Sequence, residues 1–245
     1  MWQQGTIVGR IDWTDHLFSL KIQASVAPFE AGQFIKLSQL VDDKRIARAY
    51  SLINAPDEST LEVLVTYVQG GQLSPYLHQL QLGDMLDVSV QASGFLVLSE
   101  LPAASSLLFL ATGSGIGPFL SMMRAGDIQQ QFRRIALAYG VRKTADLAYA
   151  DELESWMQAL PEQFSWCPCV TREPDYSGLT QRIPQLIEQG ELEKQLNMPI
   201  EPPDLHVLLC GNPGLITEGT EILKHRGLEK HRRRKPGHIS VEKYW

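Results

Sequence analysis

Cysteine is scarce in this chain of 245 residues: Cys167, Cys169 and Cys210 are all there is. An odd and small set cannot form a disulfide framework, and the C-x-C pair lacks a second pair for a four-ligand zinc site. No metal is expected, and a reducing, cytoplasmic setting fits. Long apolar runs are missing too. The stretch from Leu107 to Met123 comes nearest to membrane character but is broken by Gly113, Gly115, Gly117 and Pro118, and the N-terminus has no basic segment leading into an apolar core. Neither secretion nor membrane insertion is expected. Positive charge does not predominate either, with 22 Lys and Arg against 28 Asp and Glu and a net charge of -6. That excludes a protein that is basic throughout and binds nucleic acid over its whole surface. Internal repeats are absent, and so is any heptad pattern that would argue for a dimer, so a monomer is expected.

What is present is globular: 44% hydrophobic and 20% charged residues, with length enough for one large domain or two. The charge average hides one asymmetry. Between Lys224 and His238 there are seven Lys or Arg and one acid, Glu229, a formal +6 that leaves -12 for the other residues.

Up to about residue 98 the chain reads as strands. Thr6 to Trp13, Leu17 to Gln23, Gln33 to Leu40, Ala47 to Asn54, Thr60 to Val68 and Met85 to Ala92 are rich in β-branched, aromatic and other apolar residues, and Asp, Gly, Pro and Asn separate them. Six short strands at this spacing predict a barrel or sandwich. One short helix is expected there, with Ser74 as its N-cap and Pro75 in the first helical position. After the 101–106 connection the rhythm becomes strand, helix, strand, helix. Apolar runs at 107–112, 134–140, 164–171, 206–211 and 239–243 alternate with amphipathic stretches near 117–130, 146–160, 179–196 and 213–227. This predicts a five-stranded parallel sheet covered by helices, with ligands at the carboxyl ends of its strands. The expected domains are residues 1–100 and 101–245.

Several short motifs carry possible chemistry. In Arg48-Ala49-Tyr50-Ser51, alternation along a strand puts Arg48 and Tyr50 on one face, a forked cation for a phosphate beside a ring that can cover a flat heterocycle. Gly70-Gly71-Gln72-Leu73-Ser74-Pro75 is either an ordinary turn or a place where bare backbone approaches an anion. Strand, glycine turn and helix follow in register at Leu107 to Pro118, the context in which a dinucleotide fingerprint is credible, although Pro118 stands in the last glycine position. Arg142, Arg172 and Arg182 each follow a strand or open a helix, and as a set they favour a ribose 2'-phosphate over a bare hydroxyl. Cys210 in Cys210-Gly211-Asn212-Pro213 is either a small core residue or a thiol against a bound ring. The terminal Val241 to Trp245 either completes the sheet or covers a cofactor with its aromatics.

Together and in order, RAYS, GGQLSP, ATGSGIGP, TRE, LTQRIP, CGNP and EKYW resemble the ferredoxin-NADP+ reductase family, most closely its bacterial ferredoxin or flavodoxin reductases. The resemblance covers nearly the whole chain. It implies a six-stranded antiparallel FAD-binding β-barrel followed by a Rossmann-like NADP-binding α/β domain. It also implies electron transfer between NADPH and ferredoxin or flavodoxin. By this resemblance Arg48 holds the FAD pyrophosphate, Tyr50 stacks on the isoalloxazine, and Ser51 bonds near its N5. Gln72, Leu73 and Ser74 line the pyrophosphate, with Ala49, Leu64 and Ser114 as further FAD contacts. Tyr244 and Trp245 shield the flavin or its adenine. For NADP(H), Arg142, Thr171, Arg172 and Arg182 match the 2'-phosphate end, and Thr112, Gly113, Cys210, Gly211 and Asn212 the nicotinamide side. Ser51, Cys210 and Glu242 form the expected catalytic set, Glu242 as a proton relay. An acidic carrier could land on the basic run through Arg232, Arg233 and Arg234.

Two other readings stand beside this one. Within the same fold the chain could be a free flavin reductase or the reductase component of an oxygenase, though three cysteines cannot supply the four thiolates of a fused [2Fe-2S] domain. From another class, the 224–238 run could make the chain a non-catalytic anion- or nucleic-acid-binding module.

Overall fold

A computed structural model describes residues 1–243 of the chain. They form two compact units, residues 1–98 with 117–125, and residues 99–116 with 126 onward. The roles expected of Tyr244 and Trp245 lie outside the described residues.

The first unit is an antiparallel six-stranded sheet. Its strands are β1 (Trp2–Thr14), β2 (Leu17–Gln23), β3 (Phe34–Val41), β4 (Lys44–Ser51), β5 (Leu61–Thr66) and β6 (Met85–Ser89), in the order β4-β3-β6-β1-β2-β5. Just past the end of β4, Leu52 bridges to Val63 of the opposite edge strand and the Ile53 N–H donates to the Glu62 carbonyl at 2.9 Å, so the sheet closes into a barrel. Alternation chooses the inner face. Phe18, Leu20 and Ile22, Ile35 and Leu37, and Leu61, Val63 and Val65 are buried in one cluster, each contributing about 1.5–3 kcal/mol on leaving water.

The short helix α1 (Ser74–Gln79) forms where expected, with a different cap. Leu73 is the N-cap and Ser74 lies inside the first turn, because the Ser74 hydroxyl accepts the Val68 N–H at 3.0 Å and so serves the preceding turn instead of the helix.

A second difference concerns α2 (Gly117–Ala125), which belongs to the first unit. Phe119, Leu120, Met122 and Met123 are buried, and the polar residues of the helix find partners beside the barrel. Ser121 Oγ donates to the Asn54 carbonyl at 2.7 Å, and Arg124 pairs with Glu62 at 2.7 Å, where Glu62 is only 4% exposed. A cut near residue 100 misses this return of the chain.

The second unit is a parallel sheet of β7 (Ser106–Thr112), β8 (Arg134–Val141), β9 (Phe164–Val170), β10 (Leu205–Gly211) and β11 (Ile239–Lys243), ordered β11-β10-β7-β8-β9. The helices are α3 (Asp127–Gln131), α4 (Ala150–Ala159), α5 (Ile183–Glu188), α6 (Glu191–Leu196) and α7 (Pro213–His225). Two stretches expected as single helices are broken, at Gly126 (φ 85°) and Gly190 (φ 71°), where the backbone turns left-handed while the apolar periodicity continues across the break. None of the helices among the described residues is long and apolar enough to cross a membrane.

Register places the basic run. Ile239 opens β11 opposite Val207 near the start of β10, so the segment from the end of α7 to β11 lies at the amino edge of the sheet. Its charge is partly answered there: Arg226 pairs with Glu193 (2.6 Å), Arg233 with Glu100 (2.5 Å), Lys235 with Glu229 (2.5 Å) and Lys224 with Glu221 (2.7 Å). Lys230, Arg232 and Arg234 make no ion pair among the described residues. Beneath the run sits His206, 1% exposed on β10, with Nε2 3.0 Å from Ser240 Oγ and its ring edge-on to His231 at 5.8 Å.

Candidate active site

In the first unit, the register of β3 and β4 sets Arg48 opposite Leu37 and Tyr50 opposite Ile35. Because β4 is an edge strand, its side chains meet the core only in part. Tyr50 packs against the barrel cluster, and burial pushes its hydroxyl up to about 12, against the opposing effect of Arg48, so the phenol stays neutral at ordinary pH. Arg48 remains exposed and donates to Gln72 Oε1 at 2.5 Å and to the Ala47 carbonyl at 2.8 Å. The first of these bonds joins two motifs that are 24 residues apart. Gln39 Nε2 holds the Gln72 carbonyl at 2.7 Å, which fixes the Gly70-Gly71 turn next to the guanidinium. Gly70 is left-handed (φ 73°), and nothing stands within 4 Å of where its Cβ would be, so bare backbone faces open space.

Ser51 closes β4 and is 3% exposed. Leu73 is buried in the barrel cluster, while Ala49 is exposed. Leu64 is buried, but on the face of β5 shared with Glu62 and turned away from the barrel core, whose inward residues are Leu61, Val63 and Val65.

In the second unit, β7 runs into a tight turn, Gly113–Ile116, which contains Ser114. The carboxyl ends of β7 and β10 approach backbone to backbone. A Cβ on Gly115 would strike the Cys210 carbonyl oxygen and come within 2.7 Å of Gly211 Cα; one on Gly211 would strike Thr112 Oγ1. The Thr112 hydroxyl accepts from both the backbone N–H and the side-chain amide of Asn212, each at 2.9 Å, and Asn212 Oδ1 accepts the Leu215 N–H at 3.0 Å, capping α7. Thr112, Gly113, Cys210, Gly211 and Asn212, which are 100 residues apart in the chain at their widest hydrogen bond, thus form one surface. The Cys210 side chain is 0% exposed, and on β11 Glu242 stands opposite it in register.

Further along the same carboxyl edge the β8–β9 pairing continues past both strands. Thr171 donates to the Val141 carbonyl from its N–H and its hydroxyl (both 3.0 Å), and the Arg172 N–H donates to the Arg142 carbonyl at 2.8 Å. Arg142 and Arg172 therefore stand side by side at the backbone, both exposed and neither ion-paired among the described residues. Glu173 Oε2 accepts the Thr144 N–H at 2.7 Å and ties the two loops together. Arg182 is the N-cap residue of α5, and its guanidinium pairs with Glu218 of α7. Glu218 was not among the residues singled out in the sequence: it lies on an ordinary solvent face of α7, and only tertiary structure brings it to Arg182.

Two family models match the chain, one inside residues 1–98 and the other over most of the second unit together with α2. An oxidoreductase FAD-binding domain matches residues 10–94, and an oxidoreductase NAD-binding domain matches residues 109–220. The class is thus a flavin- and nicotinamide-nucleotide-binding oxidoreductase. The chain is 41% identical over its full length to the flavodoxin/ferredoxin–NADP reductase of Escherichia coli, covering 99% of that protein, and 33% identical to the ferredoxin–NADP reductase of Azotobacter vinelandii, with 94% of this chain and 93% of that one covered. A ferredoxin NADP+ reductase from Neisseria gonorrhoeae, solved with bound FAD and NADP, superposes with a TM-score of 0.93 at 31% identity, covering 100% of this chain and 99% of that one. The chain belongs to the flavodoxin/ferredoxin–NADP reductase family.

Proposed function

We propose that the chain carries electrons between NADPH and ferredoxin or flavodoxin, with FAD as its resident cofactor. The observation that supports this best is the joining of the Arg48 and Gln72 motifs in one unit and of the Thr112 and Asn212 motifs in the other, in a chain related over its whole length to reductases of that name. The residues suit both groups. An exposed guanidinium beside a bare glycine turn fits a pyrophosphate, and exposed arginines at the carboxyl edge of a parallel sheet fit a phosphorylated ribose. When bound, FAD supplies the exchange between the two-electron chemistry of the nicotinamide and one-electron carriers.

In this reading Arg48, Gln72 and the 70–74 turn hold the pyrophosphate. Tyr50 covers the flavin ring as a neutral phenol, and the Ser51 hydroxyl bonds at N5. The residues Ala49, Leu64 and Ser114 complete the FAD contacts. At the other nucleotide, Arg142, Thr171, Arg172 and Arg182 take the 2'-phosphate. Thr112, Gly113, Gly211 and Asn212 orient the nicotinamide end, and the buried Cys210 excludes water beneath it. Glu242, in register with Cys210, holds the proton that the site exchanges with solvent. The buried thiols suit the cytoplasm, and the chain acts as a monomer.

Purified protein should show a flavin spectrum and should oxidise NADPH faster than NADH when ferredoxin or flavodoxin is supplied; a colourless protein, or a preference for NADH, would overturn this reading. Changing Ser51 to Ala is expected to slow NADPH oxidation on the order of 10²-fold while FAD content is retained. Loss of flavin with no slowing of the remaining holoprotein would refute the role given to Ser51.

The carrier docks on the basic run through Arg232 and Arg234, while Arg233 is held by Glu100. Carrier reduction is expected to fall with ionic strength and in an Arg232→Ala, Arg234→Ala double variant, far more than NADPH oxidation with a small neutral acceptor.

A further inference from the structure

Three arginines stand at the carboxyl edge of the second unit, and they are not equivalent. Arg142 and Arg172 carry no ion pair among the described residues, whereas Arg182 is already bound by a carboxylate, that of Glu218. We propose that Glu218 is a specificity-determining residue of the 2'-phosphate site, an internal competitor for Arg182 that the nucleotide displaces when it binds. The inference rests on the assignment of Arg182 to the 2'-phosphate.

The geometry supplies the reasons. Carboxylate and phosphate are recognised by guanidinium in the same forked manner, so a side chain that satisfies Arg182 occupies the bonds that a phosphate would use. Glu218 lies on α7 four residues after Gly214, which leaves the intervening helix surface bare. A Cβ on Gly214 would be 3.6 Å from Glu218 Oε1 and 4.0 Å from Arg182 Nη1, so the pair sits over the first turn of α7 with no side chain interposed. That turn is capped by Asn212, which also bonds Thr112, so the pair adjoins the surface assigned to the nucleotide. Arg182 in turn is anchored at the start of α5, where its N–H donates to Gln185 Oε1 at 3.3 Å.

The pair is also releasable. Its side chains are 52% and 46% exposed, and ion pairs this open to water exchange readily. A dianionic phosphate arriving at Arg182 must separate the pair and then tolerate the carboxylate nearby. Glu218 therefore holds the guanidinium in place in the empty site, weakens the retained phosphate, and narrows the preference for phosphorylated over unphosphorylated nucleotide that three unmasked arginines would give.

The test is calorimetric binding of adenosine 2',5'-bisphosphate and of adenosine 5'-monophosphate to the flavin-loaded protein and to its Glu218→Gln, Arg182→Ala and doubly substituted variants. Glu218→Gln is expected to tighten the bisphosphate roughly threefold to tenfold and to leave the monophosphate nearly unchanged, the gain vanishing when Arg182 is alanine. Should Arg182→Ala weaken the bisphosphate while Glu218→Gln leaves it unchanged or weakens it, Glu218 merely clips α5 to α7 and the inference fails, with the site assignment intact. If Arg182→Ala has no effect on either ligand, the assignment of Arg182 itself is wrong and the inference falls with it. Unchanged thermal unfolding of Glu218→Gln separates each outcome from misfolding.

Discussion

Replacing Gly115 by alanine is expected to destabilise the second unit by about 3 kcal/mol or more and to abolish binding of adenosine 2',5'-bisphosphate. The added methyl points into the Cys210 carbonyl and toward Gly211 Cα, atoms of a buried central strand that has no flexible end to move aside. Relief requires the turn after β7 to lift away from β10, and this breaks the Thr112–Asn212 bonds that hold the two strand ends together. Gly113, two residues earlier in the same turn, offers the control. Its φ is 54° and its Cβ position faces open space, so alanine there carries only the left-handed penalty of about 1–2 kcal/mol. Urea unfolding of the two variants should rank Gly115→Ala well below Gly113→Ala. Equal losses would show that close packing of β7 on β10 is not what the motif needs glycine for.

A second large effect is expected in mild acid. The His206 imidazole is held down to about 4, from an ordinary 6.5, chiefly by burial, with the neighbouring His231 and His238 acting in the same direction and a bond donated by the ring to the Gly237 backbone opposing them. A histidine held neutral in the fold contributes its full stability above the unfolded value near 6.5. Between 6.5 and 4 the unfolded chain takes up a proton that the folded chain refuses, and stability falls; below 4 the loss is complete. The total is about 3 kcal/mol. The ring's polar contacts are Ser240 Oγ and the Gly237 backbone, and the charges that act on it, those of His231 and His238, oppose the imidazolium. The fall in unfolding free energy from pH 7.5 to pH 4.5 should be smaller in His206→Gln than in the parent chain by most of this amount. An equal acid loss in both would assign the effect to other groups.

Much of this molecule can be read from its residues. The barrel strands are visible because one face is buried, so apolar residues recur at every second position, as in Leu61, Val63 and Val65. The parallel strands are visible as short apolar runs, and the carboxyl ends of β7 and β10, at Thr112 and Gly211, are where Thr112 and Asn212 meet. Other features depend on information that local pattern does not carry. Ser74 has the composition of a cap, yet its hydroxyl is claimed by Val68 in the turn before it. The apolar face of α2 predicts burial without saying against what, and Asn54 and Glu62 decide it from more than 60 residues away. The arginine set can be found from spacing, but the masking of Arg182 depends on an acid from a different helix. In sequence the basic run reads as a uniform +6, because pairs such as Arg233 with Glu100, 133 residues apart, are invisible to a running charge.

The return of α2 to the first unit has a consequence for anyone recombining this chain with its relatives. The first unit is not encoded by one continuous stretch of gene. A fragment that stops at Leu98 contains all six strands and leaves the carboxylate of Glu62 and the carbonyl of Asn54 without Arg124 and Ser121. A chimera that respects both units needs three junctions, after residues 98, 116 and 125. The middle junction falls where the turn meets α2, between Ile116 and Gly117, so inheritance of the glycine fingerprint is necessarily divided between the two parents.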